Sequence, residues 1–434
     1  MTSGISRRSL SKGAAGAAAL ATAVKASPTF AAPAVIQSGP VEVTFWSSFS
    51  AELGDAMNSV VDEFNASQTE IKINNQFQGS YEETAQKITA ALPANQAPDM
   101  SILSEIWWFK FFAANALAPL NDLMSASGFE RDDYVDSLIN EGFRNDTQWW
   151  IPFARSTPIF YYNKAVFAEA GLTAAPKTWD EFAAAAPGMV TDTRSAFAHP
   201  PASGYLAWPF QGVVWQWGGS YSDADFNVTI NQPEAVAAAQ FYQSSVADGW
   251  ALMSTDTGAD FSSGLAAATM QSTGSLKGLT ANSDFELGTA FLPEGPVGFG
   301  CCTGGSGVSI FKGAAPEKQA AAFEFMKWSA SPEKTAWWSQ NAGYTPVRKS
   351  AVEGDSMKAF FADNPNFEVA VNQLALTKPQ DPARIYIPNG DVIIGGGLER
   401  IMIDGEDAQS VMDEVADKLT EEAQPVLEQL AALQ

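Results

Sequence analysis

Strand-like and helix-like segments alternate from about residue 41 onward, and this alternation constrains the fold more than any other feature. Val41, Val43 and Phe45 alternate with less apolar residues, which is the pattern of a half-buried strand. A helical pattern follows, with an apolar face made of Leu53, Met57, Val60, Val61 and Phe64. A second strand pattern covers residues 71–77. A strand, a helix and a strand in succession form parallel neighbours of one sheet, so we predict an α/β fold.

The same alternation continues along the chain. Residues 100–103 predict a short buried strand, which brings Glu105 to the carboxyl edge of the sheet, where ligands of open α/β sheets collect. Thr178, followed three residues later by Glu181, predicts a helix start. Helical patterns cover residues 179–186, 233–247, 317–330 and 406–432. With 434 residues, the chain is long enough for two α/β lobes, each with its own core.

The first 32 residues are typical of an export signal. Arg7 and Arg8 are followed by Leu10 and Lys12 and then by a weakly apolar stretch, as in signals of the twin-arginine pathway. That stretch is too short and too mild to anchor a chain in a bilayer. We therefore predict a signal peptide over residues 1–32 and delivery to the periplasm. A basic tail on a cytoplasmic protein is the alternative.

The rest of the chain is strongly acidic. Without the four basic residues of the predicted signal, 21 Lys and Arg stand against 49 Asp and Glu. The negative electrostatic potential of such a chain repels nucleic acid and anionic membranes, so neither is predicted as a partner. No cysteine precedes Cys301, so no lipid anchor is expected and the protein should be soluble. Cys301 and its neighbour Cys302 predict two buried thiols, with an oxidised pair as the alternative.

Residues that would carry catalysis are scarce. His199 is the only histidine, and its Ala-His-Pro-Pro context predicts a turn. The chain has no zinc-protease, P-loop, nucleophile-elbow or CxxC pattern, so we expect no enzyme, no metal site and no cofactor. Forty-nine acidic residues always offer carboxylate pairs, so a secreted carbohydrate-active enzyme stays open as an alternative.

Several segments together resemble the extracellular solute-binding proteins of ABC importers, and most of all their periplasmic glycerol-3-phosphate-binding branch. The similarity runs in order from about residue 41 to the C-terminus. The segments are FWSSFSAELG (45–54), GSYEE (79–83), NQAPDM (95–100), RSTPIFYYNKAVFAEAGL (155–172), PKTWDEF (176–182), STGSL (272–276), GGSGVSIF (304–311) and AGYTPV (342–347).

The resemblance implies a two-lobe periplasmic binding protein of type II, with a hinge and an interlobe ligand cleft. One lobe would comprise residues 33–155 plus 308–345, and the other residues 156–307 plus 346–434. The Ser-Thr-Pro segment after Arg155 would be the first crossing between the lobes. The family further implies a monomer that closes on its ligand and delivers it to an ABC permease in the inner membrane.

The family's ligand positions, carried over by the resemblance, imply hydroxyl, backbone N–H and guanidinium donors for a phosphate ester and one acidic acceptor, Glu105, for glycerol hydroxyls. They are Tyr81, Glu105, Ser156, Tyr205, Trp208, Ser272, Gly305, Tyr344 and Arg384. Tyr205 stands where the branch has a tryptophan, which leaves open glycerol-3-phosphate or a glycerophosphodiester such as glycerophosphocholine. A sugar or oligosaccharide binder, stacking its ligand on aromatic rings, is the alternative within the family.

Overall fold

The computed structural model describes residues 39–202 and 205–433, so the predicted signal peptide lies outside the described residues. The strands are β1 (Val41–Ser47), β2 (Ile71–Phe77), β3 (Met100–Ser104), β4 (Phe143–Arg144), β5 (Thr147–Gln148), β6 (Ile151–Ser156), β7 (Pro158–Asn163), β8 (Ser195–His199), β9 (Ala251–Met253), β10 (Ala266–Ser272), β11 (Leu287–Ala290) and β12 (Gly304–Ile310). The α-helices are α1 (Ala51–Ser67), α2 (Tyr81–Ala91), α3 (Glu105–Ala113), α4 (Asn121–Ser127), α5 (Asp136–Ile139), α6 (Lys164–Glu169), α7 (Trp179–Ala185), α8 (Ala207–Gln216), α9 (Pro233–Ala247), α10 (Thr257–Ser262), α11 (Leu276–Asn282), α12 (Pro316–Ser329), α13 (Pro332–Ala342), α14 (Lys349–Val352), α15 (Asp355–Asp363), α16 (Pro365–Leu374), α17 (Pro382–Ile385), α18 (Gly390–Met402) and α19 (Ala408–Ala432). Within the described residues, no helix has both the length and the apolar character that crossing a membrane requires.

Two five-stranded sheets form the framework. The first has the order β2-β1-β3-β12-β6, with β1 parallel to β2 and β3, and β12 antiparallel to β3 and β6. The second has the order β11-β7-β10-β8-β9, with β7 antiparallel to both neighbours and β8 parallel to both. Val41 pairs with Ile71 across β1 and β2, which confirms the predicted strand-helix-strand unit. The architecture is the predicted two-lobe α/β fold.

The chain passes from the first sheet to the second through a single residue. β6 ends at Ser156 and β7 begins at Pro158, so Thr157 alone joins them. This passage between the sheets lies in the Ser-Thr-Pro segment, where the resemblance implied the first crossing between the lobes. β12 returns the chain to the first sheet from Gly304 onward, and the predicted boundary between residues 307 and 308 falls inside this strand. The lobe boundaries stay a prediction.

Local signals place the helices where the sequence predicted them. Met57, Val60 and Phe64 are buried on one face of α1. The Oγ1 atom of Thr178 accepts a hydrogen bond of 3.1 Å from the backbone N–H of Glu181 and caps α7. A cap of this kind stabilises a helix by about 1 kcal/mol.

His199 corrects one prediction. It is the last residue of β8 and pairs with Met253 of β9, so it does not lie in a turn. Pairing of β8 with neighbours on both sides outweighs the local signal of the two prolines, which end the strand without preventing it. Burial lowers the pKa of His199 to about 3. Cys301 and Cys302 are free and buried, which confirms the prediction of two buried thiols.

Candidate ligand-binding site

Ser156 and Gly305 lie on adjacent strands where the chain leaves the first sheet. In the antiparallel pairing of β6 with β12, Ser156 is opposite Gly304 and Arg155 is opposite Gly305. Gly305 has φ +97°, and a Cβ there would lie 2.2 Å from the carbonyl oxygen of Ala154. Only glycine allows this backbone conformation and so close an approach. The backbone of Gly305 therefore carries no side chain that would separate it from a ligand.

Two tyrosines form an aromatic cluster with residues of the first lobe. The hydroxyl of Tyr81, the first residue of α2, donates to Ser306 Oγ at 3.0 Å. The ring of Tyr344 stacks on Trp338 with 6.3 Å between centroids, and Phe49 contacts both tyrosine rings. Burial raises the pKa of Tyr81 well above its ordinary value. Burial also raises the pKa of Tyr344, so both hydroxyls stay protonated at neutral pH.

Tyr205, Trp208 and Ser272 form a second group. The hydroxyl oxygen of Tyr205 accepts from the backbone N–H of Ser272 at 2.9 Å and donates to Gln271 Oε1 at 3.0 Å. The rings of Tyr205 and Trp208 meet edge to face with centroids 5.4 Å apart. Trp208 Nε1 donates to the carbonyl oxygen of Thr303 at 2.9 Å. These hydrogen bonds hold both rings in defined orientations beside Ser272.

Glu105 and Arg384 form a buried pair of opposite charges. Arg384 Nη1 lies 3.5 Å from Glu105 Oε1, and the two residues are only 4% and 7% exposed respectively. Gln380 lies between them: its Nε2 donates to Glu105 Oε1 at 3.1 Å, and its Oε1 accepts from Arg384 Nη1. Arg384 Nε has no partner among the described residues. The pair thus offers an acidic acceptor next to a buried guanidinium with a free donor.

A second buried pair, Glu141 and Arg155, was not predicted. Arg155 Nη2 and the Thr303 hydroxyl both donate to the Glu141 carboxylate. The Arg155 guanidinium lies over the Trp150 ring, 4.9 Å from its centroid. Burial raises the pKa of Glu141 to about 7, although the Arg155 charge opposes the rise. The only local signal for this cluster was the position of Arg155 immediately before the predicted ligand residue Ser156.

The structure joins several of these groups. Trp208 and Gln380 both donate to the Thr303 carbonyl oxygen, at 2.9 and 2.8 Å. A Cβ on Gly274, two residues after Ser272, would lie 3.2 Å from the Tyr344 ring. The Tyr344 ring, which belongs to the aromatic cluster of the first lobe, therefore packs close to the turn after β10. Gln380 and Thr303, which connect predicted residues to each other, were missed because neither belongs to a motif.

One predicted residue also faces a separate opening. Tyr81 lines an open groove of about 700 Å³ whose other walls come from the ends of β1 and β2 and from α2. The other eight predicted residues do not line it. The groove is lined by Ser48, Ser50, Phe77, Gln78, Gly79, Ser80, Tyr81, Glu83 and Lys87. Predicted ligand residues are thus concentrated away from this groove, around the Thr303 carbonyl and the turn after β10.

Comparison with known proteins identifies the family. The family model described as bacterial extracellular solute-binding protein matches residues 59–369. The crystal structure of UgpB from Mycobacterium tuberculosis in complex with glycerophosphocholine is 38% identical, with a TM-score of 0.84, and the alignment covers 91% of this chain and 100% of that one. The cyclic alpha-maltosyl-1,6-maltose binding protein from Arthrobacter globiformis is 25% identical, with a TM-score of 0.79 and coverage of 89% and 100%.

A curated relative gives the same result from sequence alone. The sn-glycerol-3-phosphate-binding periplasmic protein UgpB of Pectobacterium atrosepticum is 28% identical over 363 residues, which are 79% of this chain and 81% of the relative. The family model covers well over half of the chain, and the fold has the two lobes that the resemblance implied. The chain belongs to the bacterial extracellular solute-binding proteins.

Proposed function

We propose that this chain is the substrate-binding component of an ABC importer and that it binds glycerol-3-phosphate and glycerophosphodiesters such as glycerophosphocholine. Two relatives support the ligand class. The UgpB structure that is 38% identical over 91% of this chain is a complex with glycerophosphocholine. The relative from Pectobacterium atrosepticum, 28% identical, is named for sn-glycerol-3-phosphate.

The observation that carries the proposal is the buried guanidinium of Arg384. Its side chain is withdrawn from water, and Nε has no partner among the described residues. A buried donor on a cation is costly unless an acceptor satisfies it. A phosphate oxygen is the acceptor whose charge and geometry match a guanidinium. Glu105 lies beside Arg384. When ionised, its carboxylate accepts hydrogen bonds and donates none, which suits the hydroxyls of a glycerol unit.

The other proposed contacts are of two kinds, donors to phosphate or glycerol oxygens and flat aromatic faces. The donors are the hydroxyls of Tyr81, Ser156, Ser272 and Tyr344 and the backbone N–H of Gly305. The faces are those of Tyr205 and Trp208. A trimethylammonium group gains about 0.5–2 kcal/mol over such faces once it is desolvated. The site therefore has groups for each part of a glycerophosphodiester with a choline head.

The mechanism we propose is lobe closure. Ser156 and Gly305 lie on strands of the first sheet, whereas Ser272 ends β10 of the second. A ligand that contacts both sets gains all of its interactions only when the lobes are closed, so it shifts the population towards the closed state. An ABC permease of the inner membrane would recognise this closed, ligand-bound conformation. We further propose that the protein is a periplasmic monomer exported by the twin-arginine pathway.

A calorimetric titration of the purified protein tests the ligand class. The panel comprises glycerophosphocholine, glycerol-3-phosphate, inorganic phosphate and maltose, and we expect binding of the two esters but not of maltose. Removing one partner of a desolvated charge pair costs about 2–5 kcal/mol, so Arg384→Ala should weaken binding about 30- to several thousand-fold. Arg400→Ala is the matched control, because Arg400 pairs with Glu406 and Glu414 at the surface.

Three results would contradict the proposal. Tight binding of maltose without binding of either ester would favour a sugar-binding protein. An Arg384→Ala variant within about twofold of the wild type would remove Arg384 from the phosphate site. Loss of intact ligand during prolonged incubation would favour an enzyme.

A further inference from the structure

Gln380 contacts both members of the buried Glu105–Arg384 pair through one amide group. Its Nε2 donates to Glu105 Oε1 at 3.1 Å and to the carbonyl oxygen of Thr303 at 2.8 Å. Its Oε1 accepts from Arg384 Nη1. The Gln380 side chain is itself buried, at 5% exposed. Because both N–H groups and the oxygen are engaged, the orientation of the amide is fixed.

The direct contact between the two charges is weak by comparison. Arg384 Nη1 and Glu105 Oε1 are 3.5 Å apart, beyond the usual range of a charge-assisted hydrogen bond. An arginine and a carboxylate that are free to meet in a buried site form a short, often bidentate pair. The Gln380 amide forms hydrogen bonds to both charged groups. Its further hydrogen bond to the Thr303 carbonyl oxygen fixes the amide in place between them.

We propose that Gln380 is a positioning residue that holds Arg384 and Glu105 apart, so that each keeps hydrogen-bonding capacity for the ligand. Arg384 then keeps Nε free for a phosphate oxygen, and Glu105 keeps its second oxygen for a hydroxyl. Without the spacer, the two charges close on each other and withdraw from the ligand. This inference rests on the proposed function, since it assigns the residue a role in that same site.

The prediction that separates positioning from simple structural support is a loss of affinity without a matching loss of stability. In Gln380→Leu, a direct Arg384–Glu105 pair replaces the bridged one, so the unfolding midpoint should stay close to that of the wild type. Affinity for glycerophosphocholine should fall roughly ten- to hundredfold, the value of one or two hydrogen bonds to charged groups. Gln216→Leu is the control: Gln216 is also a buried glutamine with two hydrogen bonds, to Trp179 Nε1 and to the carbonyl of Gly300. It should leave affinity unchanged.

A double-mutant cycle, measured by calorimetry with glycerophosphocholine and glycerol-3-phosphate, tests whether Gln380 acts through Arg384. In an Arg384→Ala background, Gln380→Leu should change affinity by less than about twofold. An equal loss in both backgrounds would overturn the proposal, and so would a Gln380→Leu variant that binds within twofold of the wild type. Should Gln380→Leu not fold, Gln380→Met, which keeps the length and stays uncharged but loses the amide donors and acceptor, gives the same comparison.

A ligand-free measurement separates this inference from the proposed function. If the wild type binds neither ester, the proposed ligand class fails. The double-mutant cycle is then measured by urea unfolding, without ligand, of the wild type, Gln380→Leu, Arg384→Ala and the double variant. Non-additive free energies of unfolding for Gln380→Leu and Arg384→Ala would then uphold the positioning of Arg384 by Gln380. Additive values would overturn it.

Discussion

At the scale of the residue, four charged side chains at the site are almost withdrawn from water: Glu105, Glu141, Arg155 and Arg384 are 7%, 8%, 0% and 4% exposed. An isolated buried charge would be ejected or neutralised, so each needs a partner of opposite sign. Arg155 pairs with Glu141, and Arg384 with Glu105. Truncation of any one leaves its partner buried and unpaired. Substitutions that keep size and shape therefore report on binding more cleanly than alanine does.

Tyr205 should distinguish the two classes of phosphate ester. We expect the Tyr205 ring to cover the far end of the ligand. Tyr205→Ala should then weaken the binding of glycerophosphocholine by about 0.5–2 kcal/mol more than that of glycerol-3-phosphate, which has no cationic head. Tyr205→Phe is the control: it keeps the ring but loses the hydrogen bonds to Gln271 and Ser272, so both ligands should suffer alike. Calorimetry measures both. Equal losses for both esters in Tyr205→Ala would mean that the ring contacts only the glycerol unit.

At the scale of the element, β12 contains three glycines at positions where neighbouring groups leave no room for a Cβ. A Cβ on Gly304 would lie 2.4 Å from the Trp208 ring, and one on Gly307 would lie 2.3 Å from the carbonyl oxygen of Ile151. Gly305 adds a positive φ to the same crowding. The strand can therefore approach both β6 and α8 closely. This approach brings the predicted ligand residues of the crossing next to Trp208.

Gly305→Ala should destabilise the fold and not only the site. The new Cβ must push against the backbone of the neighbouring strand in a conformation that L-residues avoid, which should cost about 2–4 kcal/mol. Urea unfolding measures this as a lower midpoint. Gly313→Ala is the control, because a Cβ on Gly313 would meet nothing within 4 Å. Equal midpoints for the two variants would show that β12 can shift away from β6 at little cost.

At the scale of the whole molecule, hydrogen bonds between distant parts of the chain meet where the sheets are joined. Thr303, immediately before β12, accepts hydrogen bonds from Trp208 and Gln380 at its carbonyl oxygen and donates one from its hydroxyl to Glu141. Thr345 donates twice to the carbonyl oxygen of Arg155, once from its backbone and once from its side chain. Several separate passages of the chain are thus tied together around the buried carboxylate of Glu141. The protonation of that carboxylate should affect the stability of the whole fold.

Glu141 should give the protein a distinct dependence of stability on pH. Burial raises its pKa from 4.5 to about 7 in the folded state. Between these values the folded protein binds the proton more tightly than the unfolded chain, so stability falls as the pH rises through this window. At about 1.4 kcal/mol per pKa unit, the effect is on the order of 3–4 kcal/mol.

The measurement is the difference in free energy of unfolding between wild type and Glu141→Gln across the same pH range. The variant cannot titrate, so the wild type should lose stability relative to it as the pH rises, and the difference should level off above about pH 7. Comparing the two cancels the contribution of His199, whose lowered pKa acts in the opposite direction. Glu421→Gln, an exposed acid on α19, is the control. Parallel profiles for wild type and Glu141→Gln would contradict the assignment.

Much of the framework follows from short-range patterns. The alternation at Val41, Val43 and Phe45, the helical face from Met57 to Phe64 and the cap at Thr178 all appear in the structure as predicted. Each depends on residues within a few positions of one another, where side-chain period and hydrogen bonding decide the outcome. The passage between the two sheets at Thr157 lies in the segment where the resemblance implied a crossing between the lobes. The nine ligand residues stay predictions, although the structure brings several of them into contact.

The sequence by itself determined the α/β class and the positions of those elements that have a clear local pattern, such as β1, α1 and β2. The candidate residues of the site came from the resemblance and stay predictions. Tertiary structure alone decided that His199 ends a strand, that Arg155 pairs with Glu141, and that Gln380 bridges Glu105 and Arg384. The physical reason is distance along the chain: Gln380 and Glu105 are 275 residues apart, and Thr303 and Glu141 are 162 apart. A buried hydrogen bond depends on which group the fold brings within 3 Å or so, and no local pattern of side chains encodes that partner.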